Sequence, residues 1–592
     1  MSTSSPTFVR LQPDKLLDFY HRQQWDALSE EFLHVLGYFG QVTYLSLDAQ
    51  QQYAINTFVK HFLYFFSQED YIISDRYVEP FLASSGLISN LVAISQFKTT
   101  DPYLALLEQQ KNNFVKLLTL YSARNTPRYS VKGLFDISPV IASYWYCYFF
   151  SNYYSLCVSD GSHRHLQAHM AAFDDRLDPV VDFHHMNFAA TYIDPVGDRP
   201  FKQKLNAKVR QMLKGYPTLE GDPNPRRIGV ISGNWYPQHS VYRILQPFVA
   251  ALQAEYEVVL YYFGNTEMPP DRQGFTETHY LPLVKGRLDL EPLRKHNLML
   301  VYYPDVGMNA ESILLSNLRL APIQVMGYGH PVSTFGSEID YVIGGAAVEV
   351  ASAARQNYSE RLVLIPGLGV SCVRPQYQPE YPLPSSQPLI INCSWYAQKV
   401  NYRLLHLLKE IVRLSEEPVV FQFFTGTGVA RANNFLPFVA DLQAILGADH
   451  VRVVPPCPYA DYMALMEQGA FALDPYPFGG GNTVVDALRI GKPIVTYEGQ
   501  KWYNRIGSAL LRQVGLEELV ARDSKGYIQR ALRLMRDRPY REGLVATIRS
   551  LDLDRLLFSQ EEVAAFRRAI AYLIAHHSTL QQTTTREPIV IS

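Results

Sequence analysis

Cysteine is scarce in this sequence. Five residues, Cys147, Cys157, Cys372, Cys393 and Cys457, are spread through 592 positions, and no two form a C-x-x-C pair. An odd and dispersed set argues against a disulfide framework and against a zinc site, and it points to a reducing cytoplasm. Excess charge is lacking too. Fifty-four Lys and Arg against 56 Asp and Glu leave a net charge of −2. The chain therefore has no general electrostatic pull on nucleic acid or anionic lipid, and neither partner is expected. The start, MSTSSPTFVRLQPDK, has no apolar run behind a basic segment, so no signal peptide is expected. One uncharged run, Ile137 to Ser159, has the length to span a bilayer. It also holds Pro139, Asn152, several serines and many tyrosines, which favour interfaces over hydrocarbon. A buried helix of a globular domain is expected there, with a membrane-associated helix as the alternative.

What is present is an ordinary globular composition, 47% apolar and 19% charged. At roughly 150 residues per domain the length accommodates three or four units. Residues 1–205 read as an all-α N-terminal domain. DAQQQYAINTFVKHFLYFF, RYVEPFLASSGLISNLVAISQF and PYLALLEQQKNNFVKLLTLYSAR repeat apolar residues at three- and four-residue spacing. Breakers such as Ser84-Ser85-Gly86 interrupt them, and the roughly 34-residue period of tetratricopeptide repeats is not found.

A polar, proline-containing stretch from Gly215 to Arg227 reads as a linker. Short apolar runs then alternate with helical segments: RIGVIS, YEVVLYYF, NLMLVYY, APIQVMGY, IDYVIGG and RLVLIPG. That alternation is the mark of a parallel sheet covered by helices. A second linker, Arg374 to Pro388, precedes a restart with PLIINCS, PVVFQFF, HVRVVPP, FALDPYPF and KPIVTYE. The expected architecture is α/β, with Rossmann-like domains over 226–373 and 388–560 facing across a cleft. Residues 561–592 read as an amphipathic helix, SQEEVAAFRRAIAYLIAHH, and a loose tail, TLQQTTTREPIVIS.

The strongest local signal is FALDPYPFGGGNTVVDALRIGKPIV. A buried strand runs into Gly479, Gly480 and Gly481, and Asn482 or Thr483 is placed to cap the following helix. Glycines let backbone N–H groups approach a ligand, and a helix start favours negative charge, so the form is that of a diphosphate cradle. A tight strand-to-helix turn with no ligand fits the same pattern. Lys399 follows the strand LIINCS and could neutralise a diphosphate; a solvated loop lysine is the plainer alternative. His239 follows the first strand of the first half and opens a helix. A helix start keeps imidazole neutral and available as base or donor, while a capping or surface histidine is the alternative.

Two patterns are set aside. Gly426-Thr427-Gly428 begins like G-x-G-x-x-G but has Arg431 in the third glycine position. Asp552-Leu553-Asp554 matches a metal-binding D-x-D but sits among helical residues, as a solvated face would.

NLRLAPIQVMGYGHPVSTFGSEIDYVI, and GGGNTVVDALRIGKPIVTYEG followed by NRIGSALLRQVGLEELV, resemble glycosyltransferase family 41. That family joins protein O-GlcNAc transferases to the bacterial high-molecular-weight adhesin N-glycosyltransferases. The resemblance runs from about Arg226 to Ser550. Gly307-Met308-Asn309, Gly329-His330-Pro331 and a non-repeat helical N-terminal region are more similar to the adhesin-type branch.

The resemblance implies a GT-B fold, a uridine diphosphate (UDP) sugar donor, a protein or peptide acceptor, inversion at the anomeric carbon, and neither metal nor other cofactor. By position it implies His239 beside donor and acceptor, Lys399 on the diphosphate, and Asn482, Thr483 and Asp486 on the donor-binding helix. His239, Lys399 and Asp486 are its catalytic candidates. Gly480, Gly481, Asn482, Thr483 and Tyr459 are its donor-binding candidates, and the backbone from Val454 to Tyr459 would frame the uracil. Thr427, Pro456 and Tyr396 stand where adhesin-type enzymes carry a glutamine, a histidine and a small hydroxyl residue, so the sugar stays open. The leading reading is a hexose placed on asparagine. An O-GlcNAc transferase without repeats, and a helical interaction protein with a degenerate transferase half, are the alternatives.

Overall fold

The computed structural model describes residues 11–592 except 152, 179–182, 217–221, 265–266, 282, 285–286, 373, 383–387, 559 and 584. The first ten residues and parts of both expected linkers lie outside the described residues. In chain order the strands are β1 (Asn224–Ser232), β2 (Glu257–Tyr262), β3 (Glu277–Tyr280), β4 (Leu283–Val284), β5 (Arg287–Leu288), β6 (Leu298–Tyr303), β7 (Ile323–Met326), β8 (Tyr341–Gly345), β9 (Arg361–Ile365), β10 (Leu389–Cys393), β11 (Val419–Phe424), β12 (Val451–Val454), β13 (Phe471–Leu473), β14 (Ile494–Tyr497), β15 (Val520–Ala521) and β16 (Ile589–Val590). The fold is a helical N-terminal region followed by two parallel-sheet, Rossmann-like domains. By contact density the chain divides into Met1–Gly197 with Ser394–Pro458, and Asp198–Cys393 with Tyr459–Ser592.

In the first unit, the helix Ala49–Phe66 starts at a capping box between Asp48 and Gln51 and buries Ile55, Phe58, Val59, Phe62, Leu63 and Phe66. That spacing puts one stripe of the helix in the core, where Phe62 and Phe66 stack with centroids 4.0 Å apart. The serine break ends one helix at Ala83 and starts the next at Ser85, with a 53° bend between them. The uncharged run becomes the helix Pro139–Tyr148, capped by Ser138, with Trp145, Tyr146 and Cys147 buried. Among the described residues no single helix is long and apolar enough to cross a membrane. The helices are fastened to residues 394–458 by polar contacts. Asn90 Nδ2 donates to Asn434 Oδ1 at 2.8 Å, and Arg124 pairs with Asp441 at 3.0 Å. In the same unit β11 and β12 pair in parallel.

The second unit is built on an eight-stranded sheet in the order β16-β9-β8-β7-β6-β1-β2-β3. Its pairs are parallel, and the interior strands are continuous apolar runs because helices cover both faces. The tail is not loose. The helix Glu561–Gln582 stacks Phe566 on Phe248 at 4.6 Å, and Ile589–Val590 then joins the sheet beside β9. The reason is chemical: Ile-Val-Ile is a β-forming run, and β9 otherwise presents an open edge. In the same unit β13 pairs in parallel with β10 and β14, and β14 with β15.

Candidate functional site

In the second unit, the buried strand β13 leads to Asp474, and the chain turns through Gly479, Gly480 and Gly481 into the helix Asn482–Arg489. The turn is held from beneath. Gly480 N–H donates to Asp474 Oδ1 at 2.8 Å, and Gly479 N–H donates to the Tyr503 carbonyl at 2.8 Å. A Cβ on Gly479 or Gly507 would meet Asp474 Oδ2 at 2.9 Å, and one on Gly480 would meet Thr483 Oγ1 at 2.0 Å. The three positions are therefore glycine because the Asp474 carboxylate and the Thr483 hydroxyl occupy the space a side chain would need.

The sequence expectation of an Asn482 or Thr483 cap is corrected here. Gly481 is the N-cap, and among the described residues no side chain caps this helix. The glycine at the N-cap moves Asn482 and Thr483 one and two places into the first turn, where a side chain no longer reaches back to cap. Val484 N–H donates to the Gly481 carbonyl at 3.0 Å, which leaves the N–H groups of Asn482 and Thr483 for another acceptor, with the partial positive charge of the helix start behind them.

Asp486 stands one turn further along, 3% exposed. The Tyr459 hydroxyl donates to its Oδ1 at 2.6 Å, tying this helix to the start of Tyr459–Gln468. Burial pushes the Asp486 carboxyl up to about 6, against the opposing effects of the Tyr459 hydroxyl and the Arg243 charge. The Arg243 guanidinium lies 5.6 Å from the centre of the Tyr459 ring. Arg243 is one helical turn beyond His239, whose carbonyl accepts its N–H at 3.1 Å. The structure thus links His239, Tyr459 and Asp486 through Arg243, a residue the sequence did not single out.

His239 is the N-cap of the helix Ser240–Gln253, and its Nδ1 accepts the Val241 N–H at 3.2 Å. Loss of hydration pulls the imidazole down to about 4, so it is neutral near pH 7. With the Nδ1 lone pair taken by a backbone donor, the proton of the neutral ring stands on Nε2. As placed, His239 caps the helix and presents an N–H donor, and it has no free lone pair for use as a base. Close by in sequence, Asp305 Oδ2 accepts the Gly233 N–H at 3.2 Å and Asn234 Nδ2 at 2.7 Å. Asn234 also reaches Asn309 Oδ1 at 3.1 Å, which places the Gly-Met-Asn run at the carboxyl ends of β1 and β6. Burial pushes Asp305 up to about 6.

Residues in and beside the two runs that carry the family resemblance meet. The His330 ring lies parallel to Phe478 with centroids 6.3 Å apart, and Phe478 stacks on Tyr503 at 4.5 Å. Trp502 Nε1 donates to the Leu368 carbonyl at 3.1 Å, and Arg505 Nε to the Val348 carbonyl at 2.6 Å. The D-x-D is occupied structurally: Asp552 caps the helix Leu553–Leu557, and Asp554 pairs with Arg374 at 2.9 Å.

Tyr396, Lys399, Thr427 and Pro456 lie in the first unit. Lys399 ends a short turn, its N–H donating to the Tyr396 carbonyl at 2.8 Å. Ala397 N–H donates to the Thr425 carbonyl at 3.1 Å, so the loops after β10 and β11 meet. Gly426 has φ +66°, and a Cβ there would strike the exposed Tyr396 ring at 2.4 Å. Thr427 follows in the backbone, and Pro456 is exposed after β12.

The model of Glycosyl transferase family 41 matches residues 469–565, from just before β13, across the glycine turn, to the first turn of the helix Glu561–Gln582. The chain is similar to glycosyltransferase family 41 over this segment. It is similar to the UDP-glucose:protein N-beta-glucosyltransferase of Actinobacillus pleuropneumoniae serotype 5b (strain L20), 24% identical over 78% of this chain and 79% of that one. The probable UDP-N-acetylglucosamine--peptide N-acetylglucosaminyltransferase SPINDLY of Solanum lycopersicum is 29% identical, over 39% of this chain and 25% of its own length. Among solved structures, a mutant O-GlcNAc transferase of Thermobaculum terrenum aligns with TM-score 0.57 at 22% identity, over 85% of this chain and 99% of that one. That likeness supports the GT-B fold.

Proposed function

We propose that this chain transfers a sugar from a UDP-sugar to a protein side chain, and in particular a hexose to asparagine, with inversion and without a metal ion, in the cytoplasm. The observation that carries the reading is the helix start at Asn482. It is uncapped by any described side chain and lies behind a glycine turn that Asp474 locks in place.

The chemistry follows from charge. As the anomeric C–O bond breaks, its electron pair passes to the diphosphate oxygen, and negative charge builds there. The N–H groups of Asn482 and Thr483 at the start of their helix would stabilise that charge, and the family resemblance gives the Lys399 ammonium the same task. Asp486 and Tyr459 hold the helix start in position, and the backbone from Val454 to Tyr459 frames the uracil. Tyr396, Thr427 and Pro456 set the sugar and nucleotide preference. The acceptor nitrogen bonds to the anomeric carbon from the opposite face, inverting it. The amide proton leaves on the departing diphosphate, because His239 is a neutral donor with its Nδ1 already engaged. Transfer of N-acetylglucosamine to serine or threonine is the second reading, favoured by the similarity to SPINDLY proteins.

The test of the donor cradle is UDP binding by Asp474→Ala. Losing the carboxylate frees the Gly480 amide and opens the turn. Affinity should fall by about tenfold or more, equivalent to losing roughly one charge-assisted hydrogen bond. A folded variant that binds UDP as the parent does would refute the cradle.

A further inference from the structure

At the outer edge of the eight-stranded sheet stands a cluster that the transfer reaction does not use. Glu277 and His279 are two residues apart on β3, so their side chains share one face of the strand. His296 enters from the turn that precedes β6. His279 Nε2 lies 3.0 Å from Glu277 Oε2, and His296 Nε2 lies 3.4 Å from the same oxygen. One ligand atom from each of the three falls within 4.8 Å of the others. A tetrahedral zinc ion with bonds of about 2.0–2.1 Å has ligand–ligand edges of about 3.3 Å, close to both contacts.

The histidines are also oriented. His296 Nδ1 lies 2.7 Å from both the Pro292 carbonyl and the Tyr261 hydroxyl; the carbonyl can only accept, so a proton on Nδ1 is the arrangement that serves it. In the neutral ring that tautomer turns the Nε2 lone pair toward the Glu277 carboxylate, two electron-rich groups that a shared cation would bridge. A carbonyl behind the far nitrogen is the usual support of a metal-ligating histidine. Arg227 donates to the His296 carbonyl at 3.0 Å, fixing its backbone. The Tyr261 ring stacks on His279 at 5.8 Å, fixing that ring in turn.

We propose that Glu277, His279 and His296 form a three-ligand site for a divalent transition-metal ion, with zinc the best match to the donor set, clipping the edge strand β3 to the turn that feeds β6. Two imidazoles and one carboxylate suit zinc, and a water would complete the tetrahedron. The scarcity of cysteine speaks only against thiolate sites. The ion is structural in this proposal, serving the sheet edge and not the transfer.

The experiment uses the full chain in a Cys457→Ser background, since Cys457 is an exposed thiol that could bind metal adventitiously. After chelator treatment, zinc is titrated by calorimetry, and cobalt by visible absorption. One equivalent should bind with micromolar or tighter affinity, cobalt should give tetrahedral d–d bands, and zinc should raise the unfolding temperature. His279→Ala and Glu277→Gln, which alter half-exposed and exposed side chains, should each weaken binding by about 10–100-fold or more and abolish the thermal shift. No binding by the parent at about 100 μM zinc, or equal binding by both variants, would overturn the proposal. In the first case a proton shared by His296 and Glu277 explains the geometry.

Discussion

The Tyr459 hydroxyl stands 2.6 Å from Asp486 Oδ1 and couples the start of the helix Tyr459–Gln468 to the second turn of the helix that follows the glycine turn. Tyr459→Phe keeps the ring under Arg243 and removes only the hydroxyl. The Asp486 carboxyl is already raised to about 6 in the fold, above an unfolded value of about 3.9. Its burial therefore costs nothing below about pH 4, and the cost grows as pH rises through 6. The hydroxyl offsets that cost by binding the charged form. Loss of stability in Tyr459→Phe should thus be larger at pH 8 than at pH 5, on the order of 1–3 kcal/mol at the higher pH. Urea unfolding at both pH values checks it. An equal loss at both would show that Asp486 does not ionise in this range.

His239 combines two roles that different substitutions separate. Asparagine caps helices well but lacks the Nε2–H, whereas alanine lacks both functions. His239→Asn should stay within a few tenths of a kcal/mol of the parent, and His239→Ala should lose about 1 kcal/mol. Turnover should drop about 100-fold or more in both, with donor affinity much less affected. The imidazole is lowered to about 4, below its unfolded value of about 6.5, so its capping contribution is intact above pH 6.5 and is lost as pH falls toward 4. Wild-type turnover in His239→Asn would return the residue to a purely capping role.

Lys399 tests the charge argument. Lys399→Ala should lower turnover by about 100–1,000-fold if its ammonium meets charge that develops on the diphosphate. Lys399→Arg keeps the charge but changes its shape and reach, and should recover only part of the loss. Steady-state rates alongside UDP affinity separate a transition-state role from simple binding; equal rates in parent and Lys399→Ala would remove it from the chemistry.

The parts that the sequence displays plainly are those whose pattern is local. The interior strands of the eight-stranded sheet are legible because both of their faces are covered, which makes them continuous apolar runs. β3 escapes notice because Glu-Thr-His-Tyr is a polar edge sequence, and Ile589–Val590 because two residues become a strand only when β9 offers an edge. The glycine turn is legible, but its support is not. Asp474 was visible only as an acid after an apolar strand, and its bond to Gly480 exists only once the chain has turned. Arg243 acts through space on Tyr459 and Asp486, far away in sequence. The grouping of residues 394–458 with the N-terminal helices depends on pairs such as Arg124 with Asp441, which no local pattern announces.

The central claim is that the chain moves a sugar from UDP to a protein side chain. The direct measurement supplies UDP-glucose, UDP-galactose or UDP-N-acetylglucosamine, one at a time, with a lysate of acceptor proteins and EDTA present. Released UDP and the masses of acceptor peptides are then read together. The account predicts one UDP released per sugar attached, a hexose increment on asparagine, no loss of activity in EDTA, and a loss of about 100-fold or more in Lys399→Ala. Failure of a folded parent to release UDP from any of the three donors, or to modify any acceptor protein, would contradict it.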